Sequence, residues 1–356
     1  MTRSVPSTLV NTTIDFPRDR RLRILSYYEK SGHPLWLENV EICRDLADAT
    51  VRTWRNRSRP MERLRRDVLS AWHLFRLSKQ YDVVLTGSDR VGLFFGIAQR
   101  VFRRRRAPQI FLDFLVYFSG VGFKQAIRRF LCRLAADGSS CAIVQRACEV
   151  RAFSRALGVP ASKFRFILYH ATIYDTRVEV RNDGYIFAGG DAHRDYSLLI
   201  EAVRGLPYRV IIAALRRDHF ADIPIPPNVE IVTVPEAKFL DLLAGASVVI
   251  VPLKSNATHV GGEQTYANAM TIGKATIVTD LDAGDYIENG KTGILTPAGD
   301  IAALRQAILK VMENRDIARS LGDRAKEASA KFAPERFFEA VFRLCEECAT
   351  LRSLRQ

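Results

Sequence analysis

The sequence predicts an α/β protein of two domains, each a parallel β-sheet covered by helices on both faces, and three observations lead there. The 356 residues, 47% of them hydrophobic, exceed what one core ordinarily organises and hold ample apolar surface for two. Short β-branched runs alternate with amphipathic helical patterns, as strands joined by crossover helices must. Between Ala171 and Gly184 the alternation lapses into TIYDTRVEVRNDG, ending in the turn signal Asn182-Asp183-Gly184, and then resumes. The expected divisions are a polar tail over 1–20, a first domain over 21–175 and a second over 176–335. A last helix over 336–356 is expected to pack back toward the first domain.

In the first half, Leu22 to Tyr27 reads as a strand followed by a loop with Gly32 and His33. The region from about 40 to 66, with VRTWRNRSRPMERLRRD, reads only as a loop and a basic helix. YDVVL (Tyr81 to Leu85) is a strand running into the polar loop TGSDR, and helix Val91 to Arg103 follows. Strand Gln109 to Leu112, helix Phe123 to Ala136 and strand Ser140 to Gln145 come next. Helix Cys148 to Leu157 is closed by Gly158 and Pro160, and Phe164 to Leu168 completes the half.

The second half reads as strand YIFAG, helix YSLLIEAV, strand YRVIIA, strand VEIVTV, helix AKFLDLLAG and strand SVVIVP. Val248 to Val251 ends at Pro252, a polar loop carries Gly261 and Gly262, Thr265 to Ile272 forms a helix, and Ala275 to Thr279 is again β-branched. Two amphipathic helices, Ile301 to Met312 and Asp316 to Ala330, precede Pro334 to Leu351, a helix long enough to cross back.

Charge is distributed unevenly. The chain carries a net +14; residues 1–180 hold 32 Lys and Arg against 16 Asp and Glu, a net of +16, and the remainder 21 against 23, a net of −2. An excess confined to one half suggests an anionic partner for that half: a lipid surface, an anionic polymer or nucleic acid. Its densest piece is QRVFRRRRAP, where Val101 and Phe102 interleave with arginines. Such a piece suits an anionic membrane surface, at roughly 1 kcal/mol per basic residue; a solvated helix end is the plain alternative. The arginines near 52–66 and 100–106 lack an aromatic stacking face or reader motif, which disfavours nucleic acid.

Apolar runs are too short to span a membrane: VGLFFGIA is broken by Gln99 and Arg100, and QIFLDFLVYF carries Asp113. The opening MTRSVPSTLVNTTIDFPRDRR has no apolar core for a signal peptide, so the expected location is cytoplasmic, with a peripheral place on the inner face of the membrane open to it. Of the cysteines Cys43, Cys132, Cys141, Cys148, Cys345 and Cys348, only the last two form a CxxC; without a second pair they read as reduced thiols. The sequons at Asn11, Asn56 and Asn256 carry little weight without an export signal.

The segment from Ala246 to Asp300 carries the chemistry. Strand, glycine loop and helix in that order build an anion site: Gly261 and Gly262 let backbone approach a ligand, and the helix start offers unpaired N–H groups and a positive dipole end to a phosphate.

Four stretches, YIFAGGDAHRDYSLLIEAV, NVEIVTVPEAKFLDLLAGASVVIVPL, GGEQTYANAMTIGKATIVTD and DYIENGKTGILTPAGDIAALRQAI, together resemble the retaining glycosyltransferases of the GT-B fold, family four in particular. The resemblance covers residues 184 to about 345; the first half is similar by layout, with LAADGSSCAIVQRACEVRAFSRALGVPASKFRFILYH like the stretch before the hinge. It implies two Rossmann-like domains facing each other across a cleft, a nucleotide-diphosphate sugar held mainly by the second, and a glycan or lipid-linked acceptor held mainly by the first. Departure of a nucleoside diphosphate builds negative charge, so the site needs donors and cations there. Arg194, after the turn Gly189-Gly190, stands where the family carries a phosphate-binding lysine; the alternative is a surface arginine pairing with Asp195. Lys254 is a second cation candidate.

Where the family carries two glutamates eight apart, this chain has Val260 and Asn268, with Glu263 as a substitute for the first from within the loop. The family's arginine after the glycine turn is absent, Gly189 and Gly190 standing there. Gln264 and Thr265 complete the donor set. On the acceptor side, loops beyond the carboxyl ends of strands offer Ser88, Asp89, Arg90 and Asp113, and after the first strand Gly32 and His33. Arg194, Glu263 and Asp113 are the catalytic candidates. His193 and His259 lie near the phosphate elements, where a lone histidine is more often a hydrogen-bonding residue.

The donor loop carries no DxD metal motif, and neither a GKS phosphate loop nor a GxSxG elbow is seen, so no metal and no cofactor beyond the donor substrate is expected. The leading reading is a metal-independent hexosyltransferase acting with retention in glycan, polysaccharide or glycolipid assembly. An epimerase or hydrolase of nucleotide sugars on the same fold, and an inactive basic membrane- or nucleic-acid-binding relative, stay open as alternatives.

Overall fold

The structure is a computed structural model; it describes residues 22–26, 34–43, 60–102, 106–118, 122–174, 176, 178–255 and 261–354. The polar tail, the sequons at Asn11, Asn56 and Asn256 and the loop with Gly32 and His33 lie outside these.

The first half contributes β1 (Ile24–Ser26), α1 (Pro34–Asn39), β2 (Val40–Ile42), α2 (Pro60–Leu77), β3 (Val83–Gly87), α3 (Arg90–Phe102), β4 (Gln109–Asp113), α4 (Phe123–Gly138), β5 (Cys141–Val144), α5 (Ala147–Leu157) and β6 (Phe164–Phe166). All pairings in its sheet are parallel, in the order β2-β1-β3-β4-β5-β6. From β3 to β6 every step goes the same way across the sheet, so right-handed crossovers place α3, α4 and α5 on one face. Phe111, Ala142, Phe153 and Phe164 pack there. The short α1 and β2 escaped sequence reading, and the basic helix proves to be the eighteen-residue α2. Strand β3 also runs further than YDVVL: Thr86 stays in the sheet because its buried hydroxyl accepts from Gln109 Nε2 at 2.7 Å.

The second half contributes β7 (Ile186–Gly189), α6 (Tyr196–Val203), β8 (Val210–Ala213), β9 (Val229–Val232), α7 (Glu236–Gly245), β10 (Val248–Val251), α8 (Glu263–Thr271), β11 (Thr276–Asp280), β12 (Ile294–Pro297), α9 (Ile301–Glu313), α10 (Arg315–Ala328) and α11 (Pro334–Ser353). Its sheet is again parallel, ordered β12-β11-β10-β7-β8-β9. In both sheets the winding reverses beside the first strand, between β1 and β3 and between β7 and β10. Crossovers diverge there and open a crevice at the carboxyl ends. The unforeseen β12 pairs at the edge. Helix α8 begins two residues before the expected Thr265 because Gly262, at φ 129°, adopts a cap geometry that a Cβ would resist, and its carbonyl accepts from Thr265 N and Tyr266 N at 2.9 and 3.2 Å.

Helix α11 covers the second face of the first sheet. Phe337, Phe338, Val341 and Leu344 pack with Trp36 and with Ile24, Val83, Leu85 and Ile110. Cys345, Cys348 and Cys141 lie in the same layer as free thiols, and burial pushes the Cys345 thiol up. Phe338 is fully buried, 5.8 Å from the Trp36 ring and 5.4 Å from that of His170. Phe338→Ala is expected to cost about 3–5 kcal/mol, measured as a lower urea midpoint of the tryptophan fluorescence transition.

Candidate functional site

The crevice of the second sheet is built by stitching the chain that leaves β7 onto the end of β10. Arg194 bridges Leu253, Lys254 N donates to His193 O at 2.9 Å, and Asp195 N donates to Pro252 O at 2.9 Å. Two features make the turn: Gly190 at φ 99°, where a Cβ would stand 2.7 Å from Arg194 Nη2, and His193, a non-glycine residue at φ 53°. The Arg194 side chain folds back beneath it. Nε donates to Gly189 O at 2.9 Å, Nη1 to Ala192 O at 2.8 Å and Nη2 to Thr265 Oγ1 at 3.0 Å.

Three of the five guanidinium N–H groups thereby tie the β7 turn to the first turn of α8. Arg194 is buried, not a surface arginine, and Asp195 instead caps α6 by accepting from Leu198 N at 3.2 Å. Burial pulls the Arg194 pKa down, while Tyr196, Glu263 and Tyr266 oppose that shift. Gly261 packs on Ala192, where an added Cβ would stand 3.0 Å from its methyl carbon, and Lys254 is exposed at the rim.

Glu263 faces the other domain. Its Oε1 lies 3.3 Å from Nε of Arg146, the N-cap residue of α5, and Arg146 Nη2 pairs with Glu149 Oε1 at 3.0 Å. Glu149 Oε2 accepts from Gln145 N and Arg146 N at 3.1 and 3.2 Å, and Arg146 Nη1 donates to Leu281 O. The three ionised side chains are at most 4% exposed. Burial pulls the Arg146 pKa down, but Glu149 and Glu263 outweigh it and hold the guanidinium's pKa above its ordinary value.

Around this clasp Ala147 N donates to Asp285 Oδ2 at 2.8 Å, and the Tyr286 hydroxyl donates to Gln145 O at 2.8 Å while accepting from Tyr169 N at 2.9 Å. Across the cleft the Tyr117 and His193 rings lie 4.3 Å apart. Burial raises the Tyr117 phenol, Glu263 and Glu149 add to it, and Arg194 opposes it. Sequence reading singled out neither Arg146 nor Glu149. The signal was a glutamate three residues after the N-cap position where the helix starts, a capping pattern hidden by having arginine at the cap.

The other donor-side candidates hold the linker. Asn268 Oδ1 accepts from Thr172 N at 2.8 Å and its Nδ2 donates to Thr172 Oγ1 at 3.0 Å, while Gln264 Nε2 donates to the same hydroxyl at 3.0 Å. On the acceptor side, Ser88 Oγ accepts from Leu115 N at 3.0 Å, Asp89 Oδ1 caps α3 through Gly92 N at 3.0 Å, and Arg90 pairs with Asp67 on α2 at 3.4 Å. Asp113, at the end of β4, accepts from Gln145 Nε2 at 3.4 Å, one residue before Arg146. The structure thus brings Arg194, Thr265, Glu263 and the glycines together, and places Ser88, Asp89 and Arg90 where β3 passes into α3 in the first domain. His259 and Val260 lie outside the described residues, as do Gly32 and His33.

Residues 190–314 match the family model described as "Glycosyl transferases group 1". A search of the curated proteins returned no match. Among solved structures, HepE (Alr3699) of Anabaena in complex with UDP and glucose is 15% identical, with 91% of this chain and 99% of that one covered at a TM-score of 0.67. Sucrose-phosphate synthase of Thermosynechococcus elongatus is 18% identical, with 82% and 79% covered at 0.63. TarM of S. aureus, in a variant bound to fondaparinux, alpha-GlcNAc-glycerol and UDP, is 16% identical, and this chain spans 59% of its length at 0.63. These likenesses show the fold: the chain has the GT-B architecture of two Rossmann-like domains across a cleft, and its second domain carries the match to the group 1 glycosyl transferases.

Proposed function

We propose that the protein is a glycosyltransferase that moves a sugar from a nucleotide-diphosphate donor, UDP-linked in the first instance, to an acceptor hydroxyl with retention and without a metal. The observation that carries this is the hydrogen bond from Arg194 to Thr265, which fixes a buried cation beneath the N-terminus of α8 at the switch point of the second sheet. A pyrophosphate there meets the helix dipole, the Gly261-Gly262 backbone and the two cations Arg194 and Lys254.

In the reaction the bond from the sugar's anomeric carbon to the diphosphate oxygen breaks and a bond to the acceptor oxygen forms on the same face. The acceptor proton passes to the departing phosphate, so no separate base is required. Charge grows on the diphosphate, and donors fixed in advance stabilise it more than the ground state. The Arg146–Glu263 clasp and the Tyr117–His193 contact hold the two domains together at the cleft, which limits the water that would otherwise hydrolyse the donor. Glu263 acts in this reading as a positioning residue toward the donor sugar, its carboxylate oriented by Arg146.

Thermal shift with UDP, GDP, ADP, CMP and dTDP tests the reading. UDP is expected to raise the melting temperature, by about 2.7 kcal/mol of stabilisation at a hundredfold excess over Kd. Lys254→Ala, at the exposed rim, should weaken that response without lowering the unliganded melting temperature, and Arg194→Ala should abolish it. No response to any of the five nucleotides overturns the proposal.

The clasp makes its own prediction. Arg146→Ala leaves Glu263 and Glu149 buried without their cation and is expected to cost about 3–5 kcal/mol in chemical unfolding. Adding Glu263→Gln should recover part of that loss, a non-additivity that a pair of independent sites would not give.

A further inference from the structure

Part of the basic excess of the first half lies exposed on α4. Of the arginine run that the sequence suggests, Arg100 pairs with Asp137, and Arg106 is buried with its guanidinium 4.5 Å above the Phe75 ring; residues 103–105 lie outside the described ones. Helix α4 differs. Its inner face buries Cys132, Ala135 and Ala136. Phe123, Ile127, Phe130 and Leu131 are 80%, 44%, 58% and 37% exposed, and their spacing of four, seven and eight residues puts them in one stripe on the outside. Lys124 and Arg128 flank the stripe on one side, Arg129 and Arg133 on the other, and all four are exposed. Among the described residues no carboxylate forms an ion pair with them. On the same face of the sheet, α2 adds an exposed Met61 and Arg65.

We infer that the outer face of α4 is a docking surface for an anionic lipid bilayer. Its apolar stripe would lie in the headgroup–acyl boundary and the four basic residues on lipid phosphates. Contiguous exposed aromatics mark an interaction surface, and basic shoulders on both sides of an apolar stripe are what an in-plane amphipathic helix presents to acidic lipid. Charge decides the occupant. A second copy would bring like charges against these shoulders, and a nucleic acid would leave the aliphatic part of the stripe in water, whereas acidic lipid accepts both. Association would be peripheral, since no helix among the described residues is long and apolar enough to cross a membrane. Tyr117 touches His193 across the cleft, and α4 starts beyond the carboxyl end of β4, the side of the sheet on which the cleft opens. That the docked cleft would then receive a membrane-borne acceptor rests on the transferase reading; the docking itself does not.

Cosedimentation of the full chain with vesicles of phosphatidylcholine, with and without phosphatidylglycerol, tests it. Binding is expected only with phosphatidylglycerol and should fall with salt. Phe123→Ser with Phe130→Ser should lower vesicle partitioning at least about tenfold. Arg128→Glu with Arg129→Glu should lower it by more than about tenfold and remove the salt dependence. Both pairs are on the surface, so the melting temperature and the UDP response should not change. Absence of binding to either vesicle, or binding that neither pair alters, overturns the inference. So does a dimer that the serine pair abolishes, or duplex DNA binding at the same face without vesicle binding. A lost UDP response with vesicle binding intact would sink the transferase reading alone; a lost vesicle interaction with the UDP response intact would sink this one alone.

Discussion

The placement of the two domains depends on Arg146, a guanidinium that enters from the first domain and meets carboxylates of both. Taking three ionised groups out of water costs several kcal/mol each, and their attraction offsets this only when geometry is good and remaining valences are filled. Here most are: Glu149 also accepts two backbone N–H groups of its own helix start and Arg146 also donates to Leu281 O, while Arg146 Nε meets Glu263 as an ion pair at 3.3 Å without a hydrogen bond. An apolar contact tolerates sliding, but a buried ion pair does not. The clasp therefore contributes less net stability than definition of one relative placement. The Tyr286 hydroxyl, between Gln145 O and Tyr169 N, fixes the same placement by a second route.

Arg194 and Arg146 are buried arginines with opposite electrostatic situations. Arg146 is compensated by two carboxylates, and its pKa rises. Arg194 bonds to two backbone carbonyls and a hydroxyl, and its pKa falls. The guanidinium remains protonated in either setting. Arg194 therefore holds a positive charge that its direct partners stabilise as dipoles without neutralising it. Under the proposed function, that suits a ligand that supplies the negative charge: a diphosphate would meet an under-compensated cation and the N-terminus of α8 together. Glu263, the nearby anion, pairs with Arg146 across the cleft.

Much of the fold was legible because parallel sheets buried on both faces write themselves as continuous apolar runs. YDVVL, SCAIVQ and SVVIVP needed no tertiary information to be read as strands. What escaped was short or tertiary: β2 is three residues at a sheet edge, and β12 is the unremarkable ILTP, held by pairing with β11 rather than by its own propensity. At the site, the anion-binding half was legible from glycines and a helix start, because those positions are dictated by backbone geometry. Partnerships across the domains were not. Nothing in QRACEV says that its arginine will meet Glu263, more than a hundred residues away, and nothing near Thr172 says that Asn268 will hold it.

Asn268 shows how such a partnership can change the meaning of a residue. By resemblance it stands where the family carries the second of two glutamates eight apart. In the structure its amide uses both kinds of hydrogen-bonding capacity on one partner, accepting from Thr172 N and donating to Thr172 Oγ1. A carboxylate could accept but not donate, and it would place a second negative charge on α8, five residues after Glu263. An amide is the side chain that binds the linker without opposing the positive end of this helix. In the donor site proposed above, the linker, through Thr172, takes up part of the hydrogen-bonding capacity of Asn268.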